Sequence, residues 1–148
     1  YLEETILTSC KKYNSLKKKK IDQIALVSID TPFKKKHHID SAINLMNIFE
    51  ADMVLSVKTE IENFFHHNGK GLQAIRKNHA LKLESEELFK EVSAVKIINY
   101  IWLKKNKSLN SKGKLSHVIL DKKSSISIND DLDLEIANSL YKNNKHEF

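Results

Sequence analysis

Two short apolar runs flanking one amphipathic stretch constrain this chain more than any other feature. Ile24–Ile29 (IALVSI) is almost continuously apolar and stops at Asp30, Thr31 and Pro32. Proline has no N–H for a sheet ladder and biases the residue before it toward extended backbone, so the run ends there. Met53–Val57 (MVLSV) is a second run of the same kind. Between them Ile39, Ala42, Ile43, Met46 and Phe49 fall on one face of a helix over 39–50. Strand, helix and strand over 24–57 make one βαβ unit, whose crossover is expected to be right-handed. Continuous apolar strands suit a parallel sheet, where both faces are buried. The two strands are therefore expected side by side in a helix-covered sheet. Ligands in open α/β sheets bind outside the carboxyl ends of the strands, which puts the pocket at the Pro32 end.

The rest of the chain supplies further elements. Leu2, Ile6, Cys10 and Tyr13 recur at helical spacing over 2–16, and Lys17–Lys20 then breaks the pattern. The stretch 58–93 is irregular, but FFHHNGKG at 64–71 places Asn68–Gly69 where a hairpin turn would be. Val95–Ile98 and His117–Leu120 read as short strands, and Tyr100–Lys105 as a helical turn carrying Trp102. Residues 106–114 are a polar loop, and Leu132–Tyr141 a closing helix. This order implies an α/β layered domain with a mixed sheet.

Composition narrows the function classes. With 148 residues, 41% hydrophobic and 30% charged, the chain is a globular domain spanning 1–148. Three glycines and one proline argue against a many-turned sandwich or propeller. The net charge of +6 is almost all lysine, and Arg76 is the only arginine. Arginine is the bidentate reader of guanine and phosphate, so a solvated lysine surface is expected rather than a nucleic-acid partner. No apolar run is long enough for a membrane span. A single cysteine, Cys10, excludes an internal disulfide framework and reads as a small residue packed in a helix. The opening YLEETIL is acidic where a secretory signal would be basic, so a cytoplasmic location is expected. With no initiator Met, the start is expected to be a cut within a longer protein.

Three groups of residues carry candidate chemistry. The turn Ser28–Lys36 follows the first strand, and Ser28, Thr31 and Lys34 could hold a phosphate or carboxylate there; an ordinary βα loop with solvated lysines fits the spacing equally well. The run Ser127–Asp133 (SINDDLD) clusters oxygen side chains before a helix. It suits Mg²⁺, a hard cation, or helix capping with Asn129 as N-cap and Asp130 and Asp131 in the first turn; capping is the favoured reading. The pairs His37–His38 and His66–His67 are adjacent rather than spaced as zinc ligands, and read as surface or turn histidines. Neither of the usual Gly-rich phosphate loops occurs.

These stretches together resemble a known family. Ile24–Ile43 (IALVSIDTPFKKKHHIDSAI) is similar to a strand, a "QPTSPLR" turn and an "HIDxAI" helix. Ala51–Val57 (ADMVLSV) is similar to an "ADSVVSV" strand, and Ser125–Tyr141 (SISINDDLDLEIANSLY) to a "DIDTxxDxxxAE" ending. In this order they resemble the C-terminal two-thirds of the acylneuraminate cytidylyltransferases, the CMP-sialic acid synthetase family. The resemblance implies a three-layer α/β/α nucleotidyltransferase-like sheet, here without its N-terminal strands, in a single partial domain. It implies transfer of CMP from CTP to a nonulosonic (sialic-type) acid for surface glycan synthesis, with Mg²⁺ as cofactor. It also implies a homodimer, with the stretch about 58–93 as an arm toward the partner. Ser28, Thr31 and Lys34 would then be substrate-binding, and Asn129 and Asp130 would lie at the metal.

The departures are specific. The family's Gln falls on Ser28 and its Arg on Lys34, which keeps the charge but loses the fork. Its two metal aspartates fall on Ser127 and Asn129, with Asp130 following directly. Its Arg-Pro-Asn-Gly stretch falls on Lys90, Glu91, Val92 and Ser93. The CTP loop has no counterpart in these residues. This chain alone is therefore not expected to be catalytically competent, and the alternative is a divergent non-catalytic homologue acting as a subunit or binding module.

Overall fold

The computed structural model describes residues 2–75, 87–110 and 113–143. In chain order these form α1 (Leu2–Lys17), β1 (Gln23–Val27), α2 (Lys36–Phe49), β2 (Met53–Glu60), β3 (Phe65–His67), β4 (Leu72–Ala74), β5 (Leu88–Asn99), α3 (Tyr100–Asn106), β6 (Leu115–Ile119) and α4 (Asp131–Asn143). Four strands make one mixed sheet in the order β1-β5-β2-β6, while β3 and β4 pair as a separate hairpin. β5 runs antiparallel to both β1 and β2, and β6 runs parallel to β2. Hence β1, β2 and β6 point the same way.

Period-two alternation along β2 sends side chains to two cores. Val54 packs with Ala42 and Met46 of α2 and with Val95, Ile97 and Val118. Met53, Leu55 and Val57 pack on the other face with Ile6, Leu7 and Cys10 of α1 and Leu103 of α3. Helix, sheet and helix are thus the three layers expected, and each large side chain buried this way contributes about 1.5–3 kcal/mol. Cys10 is buried in α1 as a packing residue, and desolvation pushes its thiol pKa up.

Two strand expectations need correction. β1 and β2 are parallel members of one sheet but not neighbours, because β5 lies between them. β1 is also not buried on both faces: it is an edge strand, half-buried at best, and Val27 and Ile29 are exposed. The central strand is β5, twelve residues long, where only Val95–Ile98 was expected. A local apolar run reports burial on average, whereas position in the sheet depends on pairing with a strand some seventy residues away. Phe49, assigned to the buried stripe of α2, is exposed at the helix end, while Ala42 and Met46 are buried.

β5 is not a regular strand. Leu55 faces Lys96 but Val57 faces Glu91, so two steps along β2 match five along β5. Ser56, fully buried, sits opposite the resulting bulge. Its hydroxyl accepts the Val95 N–H at 2.9 Å and reaches the carbonyls of Val92 and Val95, supplying partners that the interrupted ladder cannot.

The loop between α3 and β6 is anchored by Asp52, whose carboxylate accepts the Lys114 N–H at 2.8 Å. Gly113 is required there: a Cβ would lie 2.8 Å from both Asp52 Cβ and Trp102 Nε1. α3 starts on Asn99, whose side chain accepts the Trp102 N–H at 3.0 Å. The expected hairpin is present as β3 and β4, with Asn68 Oδ1 accepting the Lys70 N–H at 3.0 Å and Gly69 at a φ of 88°. No described helix is long and apolar enough to cross a membrane.

Candidate functional site

Because β1, β2 and β6 are parallel, their carboxyl ends converge on one side of the sheet. Three chain segments emerge there: the turn 28–35, residues 58–62, and the stretch 120–130. The Ile128 N–H donates to the Asp30 carbonyl at 2.8 Å, stitching the first segment to the third. The third segment is also tied by Lys123, whose ammonium stands 5.8 Å from the centroid of the buried Phe33 ring. The two candidate groups, around Ser28 and around Asn129, are thereby brought together.

Within the first turn, Ser28 Oγ donates to Asp30 Oδ2 at 3.0 Å and accepts the Asp30 N–H at 3.2 Å. Lys34 folds back over the turn. Its ammonium donates to the carbonyls of Ser28 and Thr31, bracing the backbone across Pro32. Desolvation lowers its pKa and the Asp30 carboxylate opposes that shift. The Thr31 side chain is fully buried and its hydroxyl has no hydrogen-bond partner among the described residues. In this conformation Thr31 meets the protein interior rather than the cleft, and Lys34 holds the turn's shape.

The second group starts a helix. Asp130 Oδ1 accepts the Asp133 N–H at 2.9 Å, so Asp130, not Asn129, caps α4. Asp133 reciprocates: its carboxylate accepts the Asn129 N–H at 2.9 Å and the Asn129 side-chain amide at 3.2 Å. This is a capping box shifted by one residue from the expected N-cap, and the Asp130-x-x-Asp133 spacing was the available signal. The hydrogen bonds from Asn129 hold the Asp133 carboxyl below the ordinary carboxylate range. Among the described residues no three His, Cys, Asp or Glu side chains gather as a metal-holding group.

Between the second and third segments lies a cleft of about 670 Å³, lined by Lys58, Glu60, Lys122, Ser127, Asp133 and Ile136 among others. Lys58 and Glu60 pair at 2.9 Å on its wall. A cleft of similar size, about 680 Å³, lies at the opposite end of β1 beside Cys10, Lys20, Gln23 and Asn47. It stands away from the strand carboxyl ends. A smaller cleft of about 250 Å³ lies at the Pro32 end, lined by Pro32, Phe33, Ile128, Leu134 and Tyr141 among others. The first cleft is the better candidate for a charged ligand because it carries Lys58, Lys122 and Asp133.

At this end one residue was not singled out from sequence and another was read as lying at the surface. Asp121, just after β6, accepts the Ser124 N–H and hydroxyl, both at 2.8 Å, and these bonds, with that from the Lys123 backbone, hold its pKa low. His38, read as a surface or turn histidine, is buried in the first turn of α2, while His37 is exposed as expected. Asp121 carries no periodic pattern, whereas His38 lies four residues before Ala42 and eight before Met46 on the buried face of α2, so the helical period was the available signal for it.

No protein-family model and no curated protein matches the chain. Among solved structures, the 4-diphosphocytidyl-2C-methyl-D-erythritol synthase of Anaerococcus prevotii is similar, with a TM-score of 0.59 at 11% identity. The match covers 88% of this chain and 64% of that one. At so low an identity the likeness is one of fold. The chain has a three-layer α/β fold similar to that of this synthase.

Proposed function

We propose that this domain takes part in nucleotidyl transfer, carrying CMP from CTP to a nonulosonic (sialic-type) acid for surface glycan synthesis. In that reaction a sugar hydroxyl attacks the α-phosphate and the bond to pyrophosphate breaks. The task is mainly orientation and charge neutralisation. The observation that carries the reading is the cleft between the segments following β2 and β6, bearing Lys58 and Lys122, in a fold similar to that of an enzyme named as a 4-diphosphocytidyl-2C-methyl-D-erythritol synthase. The sugar acid itself rests on the three sequence stretches that resemble the sialic-acid family. The lysines offer charge to a carboxylate or phosphate, while Lys34 holds the turn after β1 through the Ser28 and Thr31 carbonyls.

Mg²⁺ would be held by Asp130 and Asp133, with Asn129 as a neutral ligand. Magnesium commonly takes one or two carboxylates and completes its shell with phosphate oxygens and water, so a two-carboxylate donor set suits it only with nucleotide present. A cytoplasmic location belongs to the same reading. Isothermal titration of the full-length protein with CTP and Mg²⁺ is expected to give saturable heat at or below about 1 mM CTP, the upper range of ordinary Michaelis constants. No heat would remove the transferase reading.

A second reading, a non-catalytic homologue, is favoured by one observation: the uncharged Ser127 and Asn129, with Asp130 and Asp133 already engaged in starting α4. CTP binding without pyrophosphate release would select it.

The homodimer rests on the hairpin. Phe65, Leu72 and the neighbouring Ile75 are 54%, 74% and 53% exposed, and a two-stranded hairpin is marginal unless its apolar face is covered. Deleting residues 62–80 is expected to convert dimers to monomers in sedimentation. A dimer that survives the deletion would place the interface elsewhere.

A further inference from the structure

His38 occupies the first turn of α2, where it is buried and feels the charge of Asp121, just after β6. The His38 ring Nδ1 accepts the Lys35 N–H at 3.1 Å, and the His38 backbone N–H donates to the Lys35 carbonyl at 3.1 Å. A ring nitrogen that accepts an N–H is unprotonated, so this geometry requires the neutral imidazole. Lys35 closes the turn that begins at Ser28. The turn is held by Ser28 N–H to the Ala94 carbonyl, by the Asp30 carbonyl to Ile128 N–H, by the buried Thr31 and Phe33 side chains with Lys123 against the Phe33 ring, and at its end by the His38 ring.

We propose that His38 is an acid-operated latch on this turn: the neutral ring keeps the turn and the start of α2 closed, and protonation releases both. A protonated ring presents donors on both nitrogens, and its Nδ1–H would face the Lys35 N–H with nothing to accept either. The surroundings give the added charge little help. The His37 ring lies edge-on with centroids 4.0 Å apart, and the Lys35 ammonium is of like sign. Asp121 is the carboxylate that favours protonation, but its oxygens are committed to Ser124. Burial, His37 and Lys35 outweigh Asp121 and lower the pKa of His38.

The sign follows from linkage. The open state takes up a proton more readily than the closed one, so closure is complete above the ordinary histidine value near 6.5. It weakens as pH falls below that value toward the lowered one, by up to about tenfold per pH unit.

Amide exchange followed by NMR on the full chain tests this without any ligand, so its outcome is independent of the proposed reaction. After correction for intrinsic rates, protection of the Lys35 amide is expected to fall by up to about tenfold per unit below pH 6.5. In His38→Gln, whose side-chain oxygen can accept the same N–H without titrating, protection is expected to stay level. An equal fall in that variant would overturn the latch, as would level protection in the wild type. Should His38→Gln not fold, the wild-type ring signals decide. Opening of the Lys35 amide must follow the His38 titration, and a ring that titrates while the amide stays protected sinks the proposal.

Discussion

Ser56→Ala is expected to destabilise the protein by about 1–3 kcal/mol, the usual cost of leaving a buried hydrogen-bonding group without its partner. The hydroxyl is fully buried and closes the bulge in β5 by accepting the Val95 N–H. Alanine removes that acceptor and the donor shared by the Val92 and Val95 carbonyls, and the buried site gives water no ready access. Against a typical stability of about 5–15 kcal/mol this is a large fraction. Urea melts should show a lower midpoint with an unchanged slope. Ser93→Ala, at an exposed position of the same bulge, should stay within about 0.5 kcal/mol. Equal effects at the two positions would mean that Ser56 does not hold the bulge.

Asn129→Asp is expected to raise Mg²⁺ affinity roughly tenfold or more, since ligand charge count tunes hard-cation sites over decades. The Asn129 amide now donates to the Asp133 carboxylate at 3.2 Å. The substitution replaces a donor with a second anion at that distance, beside the carboxylate of Asp130. Without metal the variant should melt earlier than the wild type, and Mg²⁺ should restore it. The pH dependence has a definite sign. In the wild type the Asp133 carboxyl is held low, so its stabilising bonds are present above the ordinary carboxylate range and are lost as pH falls through the lowered value. In the variant the close anions instead favour protonation, so the metal-free penalty should shrink on acidification. Unchanged Mg²⁺ affinity in titration calorimetry would show that Asn129 serves the helix start alone.

The failure to locate the cap of α4 by one residue and the failure to see His38 have different origins. Asp130 and Asp133 stand three apart before an apolar helix, which is a legible capping box, and the better-known preference for Asn drew the assignment to Asn129. His38 continues the buried stripe of α2, four residues before Ala42 and eight before Met46, and only its polar character drew the assignment to the surface. The Ser56 bulge is similar, because a serine in an apolar strand looks like a weak point until the three extra residues of β5 are seen to need its hydroxyl.

What the sequence determined by itself was the set of elements and their alternation. The helical stripe from Ile39 to Met46 and the runs at 24–29 and 53–57 encode period locally, and each became the helix or strand its pattern required, though the first strand is not buried on both faces. Tertiary structure alone decided that β5 enters between β1 and β2, that β1 is an edge, and that the turns after β1 and β6 meet at Asp30 and Ile128. The physical reason is range. Periodicity is written in neighbours a few residues apart, whereas strand order and the joining of loops are set by which distant backbone groups and apolar faces can satisfy one another at once.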